Sequence, residues 1–187
     1  GNSEIFRLPT EPETLRTTLL LYNPIVHSTV LMRRSLILDH KLTYDPAFQT
    51  AEDYHFWTRA SKFTQLANLS AVLLKYRIHL GQISTGGNLE QMKTSRRIRE
   101  TELSRLSLNW SSVDPDLLKV HEAIASLSLE SSALVLERAW QWFDGITQAN
   151  ATAKIYSPEI LGSVLMKQWI SYIRMTLLRS TPEQGRN

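Results

Sequence analysis

Cysteine is absent from the 187-residue chain, which excludes disulfide bonds, a cysteine-ligated zinc site and a thiol nucleophile. This absence fits a reducing compartment, and we expect the protein to be cytoplasmic. No apolar run approaches the roughly 20 residues that a membrane-spanning helix needs, and the polar beginning "GNSEIFRLPTEPE" lacks the apolar segment of a signal peptide. With 42% hydrophobic residues, 21% charged residues and a net charge of +3, the composition is that of an ordinary globular protein.

The glycine-containing segment 81–88 separates two regions of different character. In residues 1–87, "TEPETLRTTLLL" and "SLILDHKL" predict short helices, and "TYDPAF" predicts a turn built on Asp45-Pro46. The runs "NPIVHSTV" and "LANLSAVLLKYRIH" are rich in β-branched or apolar residues and favour extended chain or strands. Residues 88–187 are almost entirely helical in pattern. The candidate helices there are 88–108, 129–144, with Leu136, Ala139, Trp140 and Phe143 on one stripe, and 158–179, with Leu161, Val164, Leu165, Trp169, Ile173 and Leu177 on one stripe.

The stretch "TAEDYHFWTRA" supports two compatible interpretations. In the first, Thr50 caps a helix over residues 51–63, and Asp53 occupies its third position as in a capping box. In the second, Asp53 and Trp57 share a helix face because they are four positions apart. A carboxylate beside an aromatic wall can accept a proton from an attacking hydroxyl group. The buried face predicted for this helix consists of Phe56, Ala60 and Phe63.

The run "LLKYRIH" would place Lys75, Arg77 and His79 on one face of a strand, because side chains alternate with a period of two. This face is either solvated or an anion site, since arginine binds phosphate through its planar guanidinium and histidine can donate a hydrogen bond or bind a metal. We interpret His27, in "IVHSTV", first as a residue that satisfies a buried hydrogen bond.

Four ordered blocks over residues 20–85 resemble the C-terminal half of the catalytic domain of bacterial family 2 glycosyltransferases. They are the "NPIVHSTVLMRR" block, the Tyr-Asp turn "YDPAF", the acidic-pair block "AEDYHFW" and the "LLKYRIHLGQIS" block. Each block alone is a weak signal, and their order and close spacing make the resemblance specific.

The resemblance implies a GT-A fold: an α/β protein (α+β by content) with a partial mixed sheet and flanking helices in residues 1–87, followed by a helical region in 88–187. It implies transfer of a sugar from a nucleotide-sugar donor to a hydroxyl group of a glycan or lipid-linked acceptor, with inversion at the anomeric carbon. Such a role in glycan biosynthesis would place the protein in the cytoplasm and leaves open peripheral contact with the inner face of the membrane.

The resemblance also implies roles for individual residues. Asp53 would be the general base, and Glu52 would support it and help to place the acceptor. Arg77 and His79 would lie near the donor pyrophosphate, where the charge of the leaving group needs cationic stabilisation. The remaining implied substrate-binding residues are Trp57, lining the acceptor or sugar pocket, and His27.

The nucleotide-binding half of such enzymes, with its metal-binding Asp-x-Asp motif, has no counterpart in this sequence. We therefore expect a divalent metal, Mg²⁺ or Mn²⁺, to be bound mainly by a motif outside this chain, with His79 as an additional candidate ligand. The sole Asp-x-Asp here begins at Asp114, which we interpret as a helix N-cap followed by Pro115 at the first helical position. We expect the chain to be a fragment of a longer enzyme and inactive alone.

Several alternatives concern the helical region. The basic residues Lys93, Arg96, Arg97 and Arg99 are offset by nearby glutamates and predict a solvated helix face, so we expect no nucleic-acid partner. The helix "LMKQWISYIRMTLLR" can pack in a core, form a homo-oligomer or lie on a membrane surface. The competing function is a non-catalytic interaction or oligomerisation module derived from a glycosyltransferase.

Overall fold

The computed structural model describes residues 5, 7–75, 89–130 and 132–180. The chain forms two compact units, and the boundary between them lies after Glu102. The first unit contains helices α1 (Pro12–Thr18), α2 (Arg34–Asp39), α3 (Glu52–Ala60) and most of α4 (Leu89–Arg105), with short 3-10 turns at His27–Thr29 and Pro46–Phe48. The second unit contains the end of α4 and helices α5 (Trp110–Val113), α6 (Pro115–Ser126), α7 (Ser132–Ala153) and α8 (Pro158–Ser180).

Most of the predicted helices are present. Helix α1 begins at Pro12, which has no backbone N–H to leave unpaired in the first turn, and α2, α4 and α8 lie where the sequence predicted them. The predicted turn at Asp45-Pro46 is also confirmed, because the Asp45 carboxylate accepts a hydrogen bond of 2.9 Å from the backbone N–H of Ala47. None of the helices in the described ranges is long and apolar enough to cross a membrane.

The predicted α/β fold with a partial GT-A-like mixed sheet is wrong, because the described residues are all-α and contain no β-strand. A strand requires a second extended segment to pair with it. Val26 and Val30 do have extended backbone angles, but the 3-10 turn between them interrupts the run. Residues 66–75 are irregular, and the rest of that predicted strand, 76–79, lies outside the described residues.

The core of the first unit is built around helix α3. Its buried members are Leu15, Leu19, Leu42, Ala51, Tyr54, Phe56, Trp57, Ala60 and Ile98. The prediction of a buried α3 face is therefore confirmed for Phe56 and Ala60. It is wrong for Phe63, which is 51% exposed because α3 ends at Ala60 and the chain turns away from the core.

The predicted cap at Thr50 is also wrong. The N-cap of α3 is Ala51, which makes no side-chain cap, and Asp53 occupies the second helical position. Thr50 has φ of 77°, an uncommon backbone conformation for a β-branched residue. Its buried hydroxyl has no hydrogen-bond partner in the described part of the chain, while its carbonyl accepts a hydrogen bond of 3.1 Å from Gln91 Nε2. Strained backbone thus lies directly ahead of the acidic pair.

Helix α4 binds the turn that precedes α3. Side chains of Gln91, Thr94 and Arg97 donate hydrogen bonds of 3.1, 3.4 and 3.0 Å to backbone carbonyls in segment 47–50. Arg99 is only 5% exposed. The prediction of a solvated basic face is therefore wrong for Arg99, which is buried, whereas Arg97 is exposed as predicted although it also donates to a backbone carbonyl.

The buried face of α7 differs from the predicted stripe. Leu136 is 55% exposed and Trp140 is 72% exposed, so the apolar stripe predicted for this helix is not its buried face. The residues buried instead are Val135, Trp142, Ile146 and Asn150. Polar atoms on that face find partners: Trp142 Nε1 donates to His121 Nδ1 over 3.1 Å, and Asn150 exchanges two hydrogen bonds with the Tyr156 backbone. Apolar residues occur on both faces of α7, and these pairings favour the buried one.

Helix α8 packs against α6 and α7 within the second unit. Its predicted apolar stripe is confirmed in the first half of the helix, where Leu161, Val164 and Leu165 are buried. Further along the helix the buried face differs from the predicted stripe. Tyr172, which is not part of that stripe, is fully buried, whereas Leu177, which is part of it, is 62% exposed. Part of α8 thus packs in the core of the second unit, while Leu177 and Leu178 near its C-terminal end are exposed; an oligomer interface and a membrane surface stay predictions.

The interpretation of Asp114 as a helix cap is confirmed. Its carboxylate accepts a hydrogen bond of 3.1 Å from the Leu117 backbone N–H, and Pro115 begins α6. Arg138 from α7 binds both carboxylate oxygens, over 3.1 and 2.8 Å. The Arg138 hydrogen bonds hold the pKa of Asp114 below its ordinary value. One side chain thus caps α6 and joins it to α7.

Replacing Asp114 by alanine is expected to destabilise the protein by about 1–2 kcal/mol at neutral pH, because both a cap and an ion pair are lost. The folded-state pKa is lowered, so this stabilisation is present above the ordinary aspartate pKa and is lost as the pH falls through the folded-state value. Urea unfolding should therefore show a difference from the wild type that shrinks as the pH is lowered below the ordinary pKa of aspartate. The control is Asp116→Ala, which removes an exposed ion pair with Lys119 but no helix cap. It should lower the free energy of unfolding by less than about 0.5 kcal/mol. An equal loss of stability in both variants would contradict the role of Asp114 as a cap.

Candidate active site

The carboxylate of Asp53 is held between two chain segments. Asn23 Nδ2, from the segment after α1, donates to Asp53 Oδ2 over 3.0 Å, and the Tyr54 backbone N–H donates to Oδ1 over 2.7 Å. Among the described residues the carboxylate forms no ion pair. It is half-buried in the first turn of α3, where the helix dipole favours negative charge. Its orientation therefore depends on neutral donors.

Asn23 is itself oriented by its surroundings. Its Oδ1 accepts a hydrogen bond of 3.1 Å from the Ile25 backbone N–H, a turn typical of asparagine. Because the oxygen is engaged on this side, the amide nitrogen faces Asp53. Asn68 holds the same segment from another direction by donating to the carbonyl of Pro24 over 2.9 Å. The Asn23-Pro24 segment is thus restrained on two sides.

The end of α1, just before Asn23, is also tied to other helices. A helix leaves its last carbonyl groups without intrahelical partners. Tyr54 of α3 donates a buried hydrogen bond of 2.7 Å to the carbonyl of Leu19. Arg99 of α4 donates to the carbonyl of Leu21 over 3.5 Å. These bonds fix the position from which Asn23 reaches Asp53.

An aromatic cluster lies one helical turn further along α3. The His27 ring lies 5.8 Å from the Trp57 ring, and its Nε2 is 3.0 Å from the Tyr44 hydroxyl. His27 is exposed and Tyr44 is 48% exposed, whereas Trp57 is 2% exposed. The interpretation of His27 as satisfying a buried hydrogen bond is therefore wrong, because its bond to Tyr44 lies at the surface. The buried Trp57 Nε1 has no acceptor within the described ranges.

The predicted site residues are distributed as follows. Asp53 and Trp57 both lie on α3, His27 lies against the Trp57 ring, and Glu52 is exposed as the first residue of α3. Trp57 belongs to the core and does not form an open pocket wall. The remaining predicted residues, Arg77 and His79, lie outside the described residues, so their convergence with Asp53 stays a prediction.

Sequence reasoning missed two residues of this cluster, Asn23 and Tyr44. The sequence pattern places Asn23 only in an extended run and Tyr44 only in a turn. Both belong to blocks that carry the family resemblance, the Asn-Pro block and the Tyr-Asp block. That membership is the signal that could have identified them.

The geometry suits proton transfer. An ionised carboxylate has about four lone-pair sites, and two of those of Asp53 are occupied by Asn23 and the Tyr54 N–H. The remaining sites on a half-exposed group can accept a proton from water or an alcohol. The described residues contain no group of three or more histidine, aspartate or glutamate side chains that could hold a metal ion.

The chain is similar to a protein of Haemophilus influenzae named "Uncharacterized glycosyltransferase", with 32% identity over 126 residues. The matched part is 67% of this chain and 38% of that protein, so the chain spans well under half the length of this relative. No protein-family model matches the chain, and no solved structure matches it at a significant level.

Proposed function

We propose that the chain is the acceptor-side part of a family 2 glycosyltransferase that transfers a sugar from a nucleotide-sugar donor to a glycan or lipid-linked acceptor, with inversion and with Asp53 as general base. The observation that carries the proposal is the meeting of the Asn-Pro block and the acidic-pair block at one half-exposed carboxylate. The two blocks are 30 residues apart in sequence. The similarity to a protein named as a glycosyltransferase supports the general class.

The proposed reaction is a single displacement. The acceptor hydroxyl oxygen attacks the anomeric carbon, and the bond from that carbon to the phosphate oxygen breaks. The nucleoside diphosphate leaves with the bonding electron pair, and the acceptor proton moves to a carboxylate oxygen of Asp53. General-base assistance of this kind contributes about 10²- to 10⁴-fold in rate.

Neighbouring residues supply binding rather than proton transfer in this proposal. Glu52, exposed beside Asp53, accepts hydrogen bonds from acceptor hydroxyl groups. The exposed His27 and Tyr44 form a polar edge over the Trp57 ring and contact the sugar or acceptor. Trp57 has an indirect role, because its buried ring packs against the ring of His27 and supports its position.

The donor side of the reaction remains a proposal drawn from the resemblance. Arg77 and His79, outside the described residues, would stabilise the leaving diphosphate. A divalent Mg²⁺ or Mn²⁺ ion would serve the same purpose, bound mainly through a motif that this chain lacks. The described residues do not form a ligand set for it, so we derive no step through a metal ion.

The stereochemistry of the product tests the proposal. The complete polypeptide that contains this chain is incubated with α-linked UDP- and GDP-sugars and a panel of glycan acceptors, and the product anomer is determined by proton NMR. A single displacement assisted by Asp53 predicts a β-linked product. An α-linked product would contradict the assignment of Asp53 as a base for direct inversion.

One observation favours a second candidate, a non-catalytic interaction module. The run 69–74 exposes four apolar side chains: Leu69, Val72, Leu73 and Leu74 are 76%, 67%, 70% and 42% exposed. Contiguous exposed apolar surface is typical of interaction sites. Absence of transfer to every acceptor, together with association that depends on concentration in light scattering, would favour this alternative.

A further inference from the structure

The Asn23 side chain makes two hydrogen bonds with separable roles. Its Oδ1 accepts from the Ile25 backbone N–H and shapes its own segment, whereas its Nδ2 donates to the carboxylate of Asp53. The first contact is local, and the second crosses 30 residues of sequence to the candidate base. The hydrogen bond with Ile25 is sufficient to form the local turn, so the hydrogen bond to Asp53 has a separate role.

We propose that Asn23 is a positioning residue for catalysis: its amide nitrogen holds the Asp53 carboxylate in one rotational state. This inference rests on the proposed function of Asp53. A neutral donor suits the task, because it orients the carboxylate through a directed hydrogen bond and adds no charge beside it. An arginine or lysine at the same place would pair with the carboxylate and compete with the proton that it must accept.

Two substitutions at Asn23 separate the contacts. Asn23→Asp retains an oxygen for the Ile25 N–H but, when ionised, cannot donate to Asp53. It also adds a second carboxylate within hydrogen-bond distance. Two carboxylates that share a site ionise in two coupled steps, and the second step occurs at higher pH. Asn23→Ala removes both contacts. The matched control is Asn68→Ala, which removes another asparagine that holds the same segment through Pro24 but has no bond to Asp53.

In the complete polypeptide, Asn23→Asp is expected to lower kcat about 10- to 100-fold at neutral pH, with the donor KM changed less than about threefold. The acidic limb of its kcat profile should move to higher pH. Asn68→Ala should lower the melting temperature and leave that limb in place. The inference is overturned if a folded Asn23→Asp variant keeps the wild-type kcat and profile, or if Asn68→Ala moves the limb equally.

A second measurement does not depend on activity or on the folding of an Asn23 variant. In the ¹⁵N-labelled 187-residue chain, the side-chain NH₂ signals of Asn23 should shift with pH as Asp53 titrates, and the shift should vanish in Asp53→Asn. If transfer requires Asp53 but the Asn23 signals do not follow its titration, this inference fails while the proposed function stands. If the signals follow it and transfer is unaffected by Asp53→Asn, the proposed function fails, and the role of Asn23 in catalysis fails with it.

Discussion

Replacing Asp53 by asparagine is expected to lower kcat for sugar transfer by about 10²- to 10⁴-fold in the complete polypeptide. The amide has nearly the same shape as the carboxylate but cannot accept the acceptor proton. Donor KM should change little, because Asp53 acts on the acceptor side of the proposed reaction. The measurement is steady-state transfer over a range of donor and acceptor concentrations, with donor affinity determined separately by calorimetry.

The matched control is Glu52→Gln, one position earlier on α3. Glu52 is exposed and is proposed to bind acceptor hydroxyl groups, so its loss should mainly raise the acceptor KM, with kcat reduced less than about tenfold. Unchanged turnover in Asp53→Asn would reject the base. A loss of kcat in Glu52→Gln as large as that in Asp53→Asn would contradict the assignment of proton transfer to Asp53 alone.

Replacing Trp57 by alanine is expected to destabilise the first unit by about 3–5 kcal/mol, as is usual for a buried tryptophan. Trp57 is 2% exposed, and its ring packs edge-on against Phe56 with centroids 4.8 Å apart. A loss of this size is a large fraction of the stability of a typical domain. Reduced activity in this variant would therefore reflect loss of folded protein rather than loss of a sugar contact. Urea unfolding followed by far-ultraviolet circular dichroism measures the change.

A second tryptophan provides the control for this experiment. Trp140 is 72% exposed on α7, and its replacement by alanine should change the free energy of unfolding by no more than about 0.5 kcal/mol. If Trp57→Ala is as stable as Trp140→Ala and loses activity, the indole would be a substrate contact, as the family resemblance implied, and its burial in the core would not describe the functional state.

The helices could be predicted because their signals are local. Pro12 near the start of α1, the Asp114-Pro115 cap of α6 and the spacing of Leu161 and Leu165 in α8 each act within one or two turns. Strands could not be assigned in the same way, since a strand forms only when a second extended segment pairs with it. Val26 and Val30 adopt extended angles as expected, but the described residues bring no second segment alongside them.

The choice between helix faces also depended on tertiary partners. Trp140 and Trp142 both lie on α7, and periodicity alone favoured Trp140 for the core. Trp142 is buried because its indole N–H reaches His121, a contact between helices that no pattern within α7 contains. Thr50 is a second residue whose role depends on a tertiary partner. Its φ is positive and its carbonyl accepts a hydrogen bond from Gln91 of α4, whereas its sequence predicted a helix cap.

The candidate site was predictable in part. The spacing of Asp53 and Trp57 placed them on one helix, and the structure confirms that both belong to α3. Their surroundings were not predictable, because the bond from Asn23 to Asp53 and the bond between His27 and Tyr44 join different segments. Only the family resemblance grouped these segments before the structure showed their contacts.

The most direct test of the central claim is a crystal structure of the complete polypeptide with an acceptor and a nucleoside diphosphate. If Asp53 is the base, the reacting acceptor hydroxyl should lie about 2.6–3.2 Å from one of its carboxylate oxygens, with Asn23 still bonded to Oδ2. An acceptor hydroxyl that instead lies against a different carboxylate, with Asp53 directed away from it, would contradict the account.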